Sequence, residues 1–459
     1  MTEGPEAVIV GAGISGLTCL WRLRNAGIDA VCLESGDRAG GVIGSRFTDG
    51  FLVEAGPNTV AGSPELDRLV REAALESEVV RAPAGLPRFL YRDGRLHRVP
   101  TGPLELVSTG ILSTRAKVGL LAEPLVPRRS AEGEESVREF VTRRLGAEIY
   151  DKVVAALLSG TFAGDGGRLA MRAVFPLLAE IEEEHGSVLL GLLVRAATGR
   201  TAPRGGGSFS FRDGFERLPK RLAEKLAPSI RRRSEARAIA ARTAENGRFE
   251  IVIRDAEAER RITTRAVVLA VPSAAAGRLL ERLAPQAAAA LGEFESPPLA
   301  CVSLAWQRSD LARPAEGFGF LVPRGEGVRI LGCVYPSAIY PERAPRGWAS
   351  FTSFLGGSLD PDGAALGEEP LVDAVRADLA SILGAAGTPR VLAVDRHPAA
   401  IPQYTLGHLE RVTRIRSAVA RIAGLFLSGS FLTGISIGDS VREAGDAAEK
   451  VITWLGTSR

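Results

Sequence analysis

The chain reads as an α/β protein in three parts: a Rossmann-like parallel-sheet domain, an antiparallel-sheet domain and a helical insertion. Three observations predict this. An apolar strand runs directly into a glycine-rich turn at residues 7–16, strand-like runs separated by turns fill residues 301–355, and between about 104 and 200 strand alternation gives way to helical periodicity. With 459 residues, 45% of them hydrophobic and 24% charged, the chain can bury more than one core.

The first element is Ala7-Val8-Ile9-Val10, followed at once by Gly11-Ala12-Gly13-Ile14-Ser15-Gly16 and then by Leu17, Leu20, Trp21 and Leu23 at helical spacing. A second strand, Ala30-Val31-Cys32-Leu33, ends in Glu34, 18 positions past the third glycine. This is G-x-G-x-x-G in the setting it requires, a strand before and a helix after, and it predicts a Rossmann-like dinucleotide site. Gly11 permits the tight turn, Gly13 lets the backbone approach a pyrophosphate, and Gly16 allows the helix to pack closely on the strand. The phosphates would sit at the helix N-terminus beside Ile14 and Ser15, and Glu34, followed by Ser35, would accept the ribose hydroxyls.

Arg38-Ala39-Gly40-Gly41 resembles the R-x-G-G extension of flavin-binding oxidases and desaturases, and Glu54-Ala55-Gly56-Pro57-Asn58 resembles the segment those proteins place beside the flavin. The resemblance implies FAD, with Gly41, Val42, Gly56, Pro57, Asn58 and Thr59 joining the site. Since no second such fingerprint appears, an independent nicotinamide domain is not expected. No C-x-x-C or C-x-x-x-x-C occurs, which argues against flavin disulfide reductase chemistry. The flavin would be reduced directly by an organic substrate and reoxidised by a small acceptor such as oxygen.

Further along, residues 88–96 predict two short strands about an Asp93-Gly94 turn. Helical patterns cover 104–126, 137–158 and 175–197, punctuated by Pro124, Pro127 and Pro176. Gly205-Gly206-Gly207-Ser208 marks a return; a helix follows over 214–226, a strand over 248–254 and a buried strand of the parallel kind over 266–272. Strands are expected at 301–306, 318–322, 329–335 and 349–355. The last strand is 425–428, followed by a loop through Ile435, Ser436 and Ile437 and a helix over 441–455 capped by Asp439 or Ser440. Such a helix N-terminus would suit negative charge on a reduced flavin. The expected domains are 1–84, 206–283 and 391–459 for the flavin, 85–103 and 284–390 for the substrate, and 104–205 for the insertion.

Composition excludes several functions. The 57 basic and 54 acidic residues are interspersed, and 52 of the basic ones are scattered Arg, so no footprint for nucleic acid emerges. The Cys at 19, 32, 301 and 333 and the His at 97, 185, 397 and 408 make neither a disulfide framework nor a metal motif. A reducing, cytoplasmic setting fits these cysteines. No apolar run approaches the ~18 to 20 residues that span a bilayer.

Taken over nearly the whole chain, the residues resemble the oxygen-dependent protoporphyrinogen oxidases of haem biosynthesis, within the flavin amine oxidase superfamily. The matching pieces include Arg88-Phe89-Leu90-Tyr91, Pro100-Thr101-Gly102, Thr161-Phe162-Ala163-Gly164-Asp165, Glu184-His185, residues 317–323 and Ile401-Pro402-Gln403-Tyr404-Thr405-Leu406-Gly407-His408. The chain departs from the family in having Asp439-Ser440 where Asp-Cys is common, and Gly429-Ser430 where Gly-Asn is frequent.

The resemblance implies non-covalent FAD and a six-electron oxidation of protoporphyrinogen IX to protoporphyrin IX, with molecular oxygen as acceptor and hydrogen peroxide as product. Coproporphyrinogen III oxidation is the alternative, and a scaffold without turnover a third reading. Amine oxidation is disfavoured because no Lys lies between 225 and 450. By the same resemblance Arg88 pairs with a substrate propionate, Leu321, Leu331 and Phe354 clamp the macrocycle, and Gly164 lets it approach backbone. Asn58 would neighbour the reacting bridge, and no residue is otherwise assigned to catalysis. His185 and His408 are read as structural. The insertion is expected to contact the cytoplasmic membrane peripherally through Leu104, Leu106 and Val107, or to act as a lid; a homodimer is left open.

Overall fold

The computed structural model describes residues 4–100, 105, 109–128, 133–199, 207–243, 248–255 and 258–457. At its centre lies a five-stranded, wholly parallel sheet in the order Ile230–Arg231, Ala30–Leu33, Ala7–Val10, Ala266–Leu269, Leu425–Leu427. Alternation along the first strand explains how so short a sheet is held. Ala7 and Ile9 enter one core and Val8 and Val10 the other, so both faces must be covered. Helices Ile14–Asn25, Pro64–Glu72, Arg217–Lys225 and Ile437–Thr457 cover the first face. Helices Ser273–Leu280, Pro285–Gly292 and His408–Ala420 cover the second, with an antiparallel sheet of Glu235–Thr243, Arg248–Arg254 and Glu259–Thr264.

A seven-stranded sheet forms the second body, in the order Arg390–His397, Leu299–Gln307, Trp348–Gly356, Gly332–Val334, Gly319–Leu321, Arg88–Arg92, Arg95–Arg98. It is antiparallel except for one pair, in which Arg88–Arg92 runs parallel to Gly319–Leu321. The expected antiparallel sheet is present, and its one parallel pair is made by the 88–98 hairpin, which arrives from far upstream through a long connection. Asp93 and Gly94 both take positive φ, 48° and 72°, which is the two-residue turn that matches strand twist. Arg390–His397 hydrogen-bonds to Leu299–Gln307, so the chain remains in this sheet past 390, where its return to the nucleotide domain was expected.

In the insertion, the expected helix over 137–158 divides. Val137–Leu145 ends at Gly146, whose φ of 96° a helix cannot continue, and the chain resumes with a short α-helical turn at Ala147–Ile149 and a π-helical stretch at Tyr150–Val154 leading into Ala155–Phe162. The pattern over 175–197 also forms two helices, Pro176–His185 and Val188–Ala197, separated by Gly186 at φ 73° and recapped by Ser187. Of the pattern over 104–126, the helix found is Thr114–Leu121; Leu104, Leu106 and Val107 lie outside the described residues, as do Thr101, Gly102, Gly205 and Gly206. No helix among the described residues is long and apolar enough to cross a membrane.

Candidate active site

The three glycines of the first turn have distinct surroundings. Gly11 takes φ 98°, and a Cβ there would stand 2.6 Å from the Ala270 carbonyl. A Cβ on Gly16 would fall 1.8 Å from the Gly11 carbonyl oxygen, so that position admits no side chain. Around Gly13 nothing lies within 4 Å of the corresponding point. The turn is therefore closed on the protein side and open at the helix N-terminus, where Ile14 and Ser15 begin the first helix. Glu34 receives the Ala12 N–H at 2.8 Å on one oxygen and the Gly36 N–H at 2.8 Å on the other, which fixes the carboxylate beside this opening, next to exposed Ser35. Arg38 donates to the carbonyls of Gly41 and Ile43 at 2.7 and 2.9 Å and folds the following loop back, with Gly40 bridged to Gly13. Val42 is exposed, and its carbonyl lies 2.5 Å from where a Cβ on Gly56 would stand.

The next segment is pinned from below. Glu54 and Arg343 form an ion pair at 2.5 Å that is almost wholly buried, and Glu54 also accepts the Phe215 N–H at 2.9 Å. Thr59 hydrogen-bonds the Tyr340 hydroxyl at 2.8 Å, and His397 Nε2 sits 2.8 Å from the Ala55 carbonyl. These contacts come from the seven-stranded body and its flanks, so the segment 54–59 is braced by that body. Between them, beside Gly56 and Pro57, lies Asn58, buried, with no hydrogen-bond partner for its Oδ1 among the described residues. A buried amide oxygen without a hydrogen bond is costly in a closed protein and asks for a ligand donor.

The closing helix starts at Ile437, four residues before the expected position, and Ser436 caps it by accepting the Asp439 N–H at 3.0 Å and donating to the Asp439 carboxylate at 2.6 Å. The expectation of Asp439 or Ser440 as cap is corrected: the Ser436 hydroxyl, three residues before Asp439, caps the helix one turn earlier. Gly438 lies against Ser63, the cap of the helix after Thr59, which brings the two loops together. An open glycine turn, a fixed carboxylate, an orphaned amide and a helix N-terminus thus gather at the carboxyl ends of the parallel strands, where α/β sheets bind ligands. The residues present fit FAD.

Strand register puts Leu90, Leu321, Gly332, Phe354 and Cys301 in one row across a single face of the seven-stranded sheet. Arg88 lies two residues from Leu90 on that face; it is exposed, stacked 4.6 Å over the Phe318 ring, and forms no ion pair among the described residues. Leu331 lines a cleft of about 400 Å³ with Ser159, Val322, Arg324, Arg329 and Asp378. Gly164 stands apart from the row: a Cβ there would lie 2.4 Å from Gln403 Oε1 and 2.9 Å from Leu169, so internal packing already requires a glycine. One apolar cluster joins Leu90 and Leu321 of the sheet, Phe162 of the insertion and Ile435 of the closing loop. The three parts therefore meet at one place.

The remaining candidates are structural. His408 stacks on Tyr404 at 4.0 Å, and burial lowers its pKa to about 4, leaving it neutral. His185 is half-buried on a helix and pairs with Glu184 at 3.6 Å. Burial pushes the Cys19, Cys301 and Cys333 thiols up to about 12, which makes them inert, and no cluster of metal ligands occurs among the described residues. Arg343, His397 and Tyr340 were not anticipated from sequence; an Arg among 52 carries no local signal.

Comparison with known proteins agrees with this geometry. Residues 14–452 match the flavin-containing amine oxidoreductase family. The chain is 32% identical to chloroplastic protoporphyrinogen oxidase 1 of Spinacia oleracea, covering 98% of this chain and 84% of that protein. It is 32% identical to the Homo sapiens protoporphyrinogen oxidase, covering 98% of each. A solved structure from Exiguobacterium sp. 255-15, provisionally named a protoporphyrinogen oxidase, superposes with a TM-score of 0.83 at 26% identity over 99% of both chains. A UDP-galactopyranose mutase shares the fold, with a TM-score of 0.73 at 16% identity over 98% of this chain and 96% of that one. The chain is an oxidoreductase of the flavin-containing amine oxidoreductase family, on its protoporphyrinogen oxidase branch.

Proposed function

We propose that the protein oxidises protoporphyrinogen IX to protoporphyrin IX with non-covalent FAD, passing six electrons in three cycles to three molecules of oxygen and releasing three of hydrogen peroxide. The observation that supports this most is the row Leu90, Leu321 and Phe354, with the Arg88 cation on the same face and Ile435 of the closing loop in the same cluster. A flat apolar wall with one charged end suits a macrocycle that carries propionates on one edge.

FAD, when bound, supplies the two-electron acceptor. Gly11, Gly13, Ile14, Ser15 and Gly16 would hold its pyrophosphate, and Glu34 with Ser35 its ribose. Gly41, Val42, Gly56, Pro57, Asn58 and Thr59 would flank the ring system on one side and Ile435, Ser436 and Ile437 on the other. Leu321, Leu331 and Phe354 hold the macrocycle, Arg88 holds a propionate, and the Asn58 amide oxygen receives a pyrrole N–H. The loop 428–440 contains neither Cys nor His to tether a flavin. Acid precipitation should therefore leave yellow FAD in the supernatant; flavin retained in the pellet would contradict the non-covalent reading.

Coproporphyrinogen III is the second reading, favoured by Arg324, an exposed cation in the cleft beside Leu331. Its additional propionates would need such a contact. Porphyrin fluorescence with each porphyrinogen decides between them, and Arg324→Ala should impair only coproporphyrinogen turnover. The insertion also fits peripheral contact with the cytoplasmic membrane: Val188–Ala197 exposes Leu190, Leu192, Leu193 and Val194, and the neighbouring turn exposes Leu125 at 85%.

A further inference from the structure

No step of the oxidation uses residues 401–408, yet this segment reaches both sides of the site. On the insertion side, Gln403 donates to the Phe162 carbonyl at 2.8 Å, Ala170 N–H donates to the Tyr404 carbonyl at 2.8 Å, and Leu406 N–H to the Arg168 carbonyl at 2.9 Å. On the other side, the Tyr404 hydroxyl donates to the Ser430 carbonyl, and His408 Nε2 lies 3.4 Å from the Leu432 carbonyl. Ser430 and Leu432 belong to the loop that leaves the last parallel strand and ends at the Ser436 cap. The Tyr404 ring is buried, packed edge-on to Phe162 at 6.3 Å and stacked on His408.

Resting on the flavin reading above, we infer that Tyr404 is a positioning residue for the cofactor: its hydroxyl fixes the Ser430 carbonyl and so the course of the loop 430–436, while its ring ties that loop to the substrate-side helix Ala155–Phe162. Two loop carbonyls are held from one short segment, and that segment is itself bonded at four places to the insertion, the fourth being the Gly407 N–H on the Glu134 carboxylate. The middle of the loop is also held by Phe431 and Leu432 in the core and by the Thr433 hydroxyl, which donates to Glu443 at 2.7 Å, so the Tyr404 hydroxyl fixes the peptide that enters this stretch. Burial, reinforced by the nearby Asp439 and Glu443 carboxylates, pushes the Tyr404 phenol up, so it stays a donor at any working pH. The neutral His408 beneath it leaves the pair uncharged.

The test is FAD retention by the full-length holoprotein. Tyr404→Phe keeps the ring and its packing and removes only the hydroxyl. On dilution, FAD release followed by flavin fluorescence should give a dissociation constant raised by roughly three- to tenfold, the range expected for one hydrogen bond. The gain in Tm at saturating FAD should shrink accordingly. Thr413→Val, which deletes a hydroxyl bonded to the Leu409 carbonyl at 2.8 Å on an exposed helix face, serves as control and should match wild type. Equal retention by Tyr404→Phe and wild type overturns the inference alone, as does a Tm loss in Tyr404→Phe with the FAD constant unmoved. A wild-type protein that takes up no FAD overturns the flavin reading and this inference together.

Discussion

Arg88 has no carboxylate partner among the described residues, and its planar guanidinium lies over Phe318, free at its edge to bind a carboxylate. A charge-assisted hydrogen bond is worth roughly 1.5–3 kcal/mol, so Arg88→Ala should lower kcat/KM by about 10- to 100-fold, chiefly through KM. Unaltered steady-state kinetics in a variant that keeps its flavin would make Arg88 an ordinary strand arginine. His408 behaves differently. Its pKa falls to about 4 in the folded chain against 6.5 unfolded, so the unfolded state binds more protons between those values. Its contribution to stability is complete above the unfolded pKa and is lost as pH falls towards 4; thermal melts should show Tm dropping over that window, and His408→Phe should flatten the drop. Single residues were legible where a motif dictates them: Gly11, Gly13 and Gly16 each have the surroundings the fingerprint requires. They were opaque where the partner is remote, as for Glu54, whose Arg343 lies 289 positions away.

Among the elements, strands were the more readable, because alternation and β-branched runs survive their surroundings. Helix ends depended on single residues whose effect was tertiary or capping: Gly146 and Gly186 break helices that periodicity alone carries onward, and Ser436 starts one early. Two expectations belong at this scale. The Val188–Ala197 helix should bind anionic liposomes through its exposed leucines, so Leu190→Glu with Leu193→Glu should reduce recovery in flotation while turnover in detergent is retained. Flotation equal to wild type would leave the helix as a lid. The buried Glu54–Arg343 pair joins the flavin segment to the turn at Pro341–Arg343, and removing one partner leaves the other charge uncompensated. Arg343→Leu should cost about 3–5 kcal/mol, measurable as a lowered denaturation midpoint.

At the scale of the whole molecule, the site belongs to no single part. The sheet face, the insertion helix and the closing loop come from separated stretches of chain and meet in the cluster of Leu90, Leu321, Phe162 and Ile435, while the glycine turn lies outside that cluster. Local motifs announced the cofactor end, since strand, turn and helix are contiguous there. The proposed substrate face rests on family resemblance for Leu321 and Phe354, and the cross-sheet row that joins them to Leu90 has no expression in local sequence; it exists only once register is set. The bracing of 54–59 by Tyr340, Arg343 and His397 makes the two ends one unit, so substrate and flavin would be held in fixed relation. The most direct test of that claim is anaerobic mixing of the FAD-loaded protein with protoporphyrinogen IX, without nicotinamide, followed at the flavin absorption band. Bleaching of the band, reversed on admitting oxygen as porphyrin fluorescence and hydrogen peroxide rise together, is the predicted result; a flavin band that persists until NAD(P)H is added would contradict it.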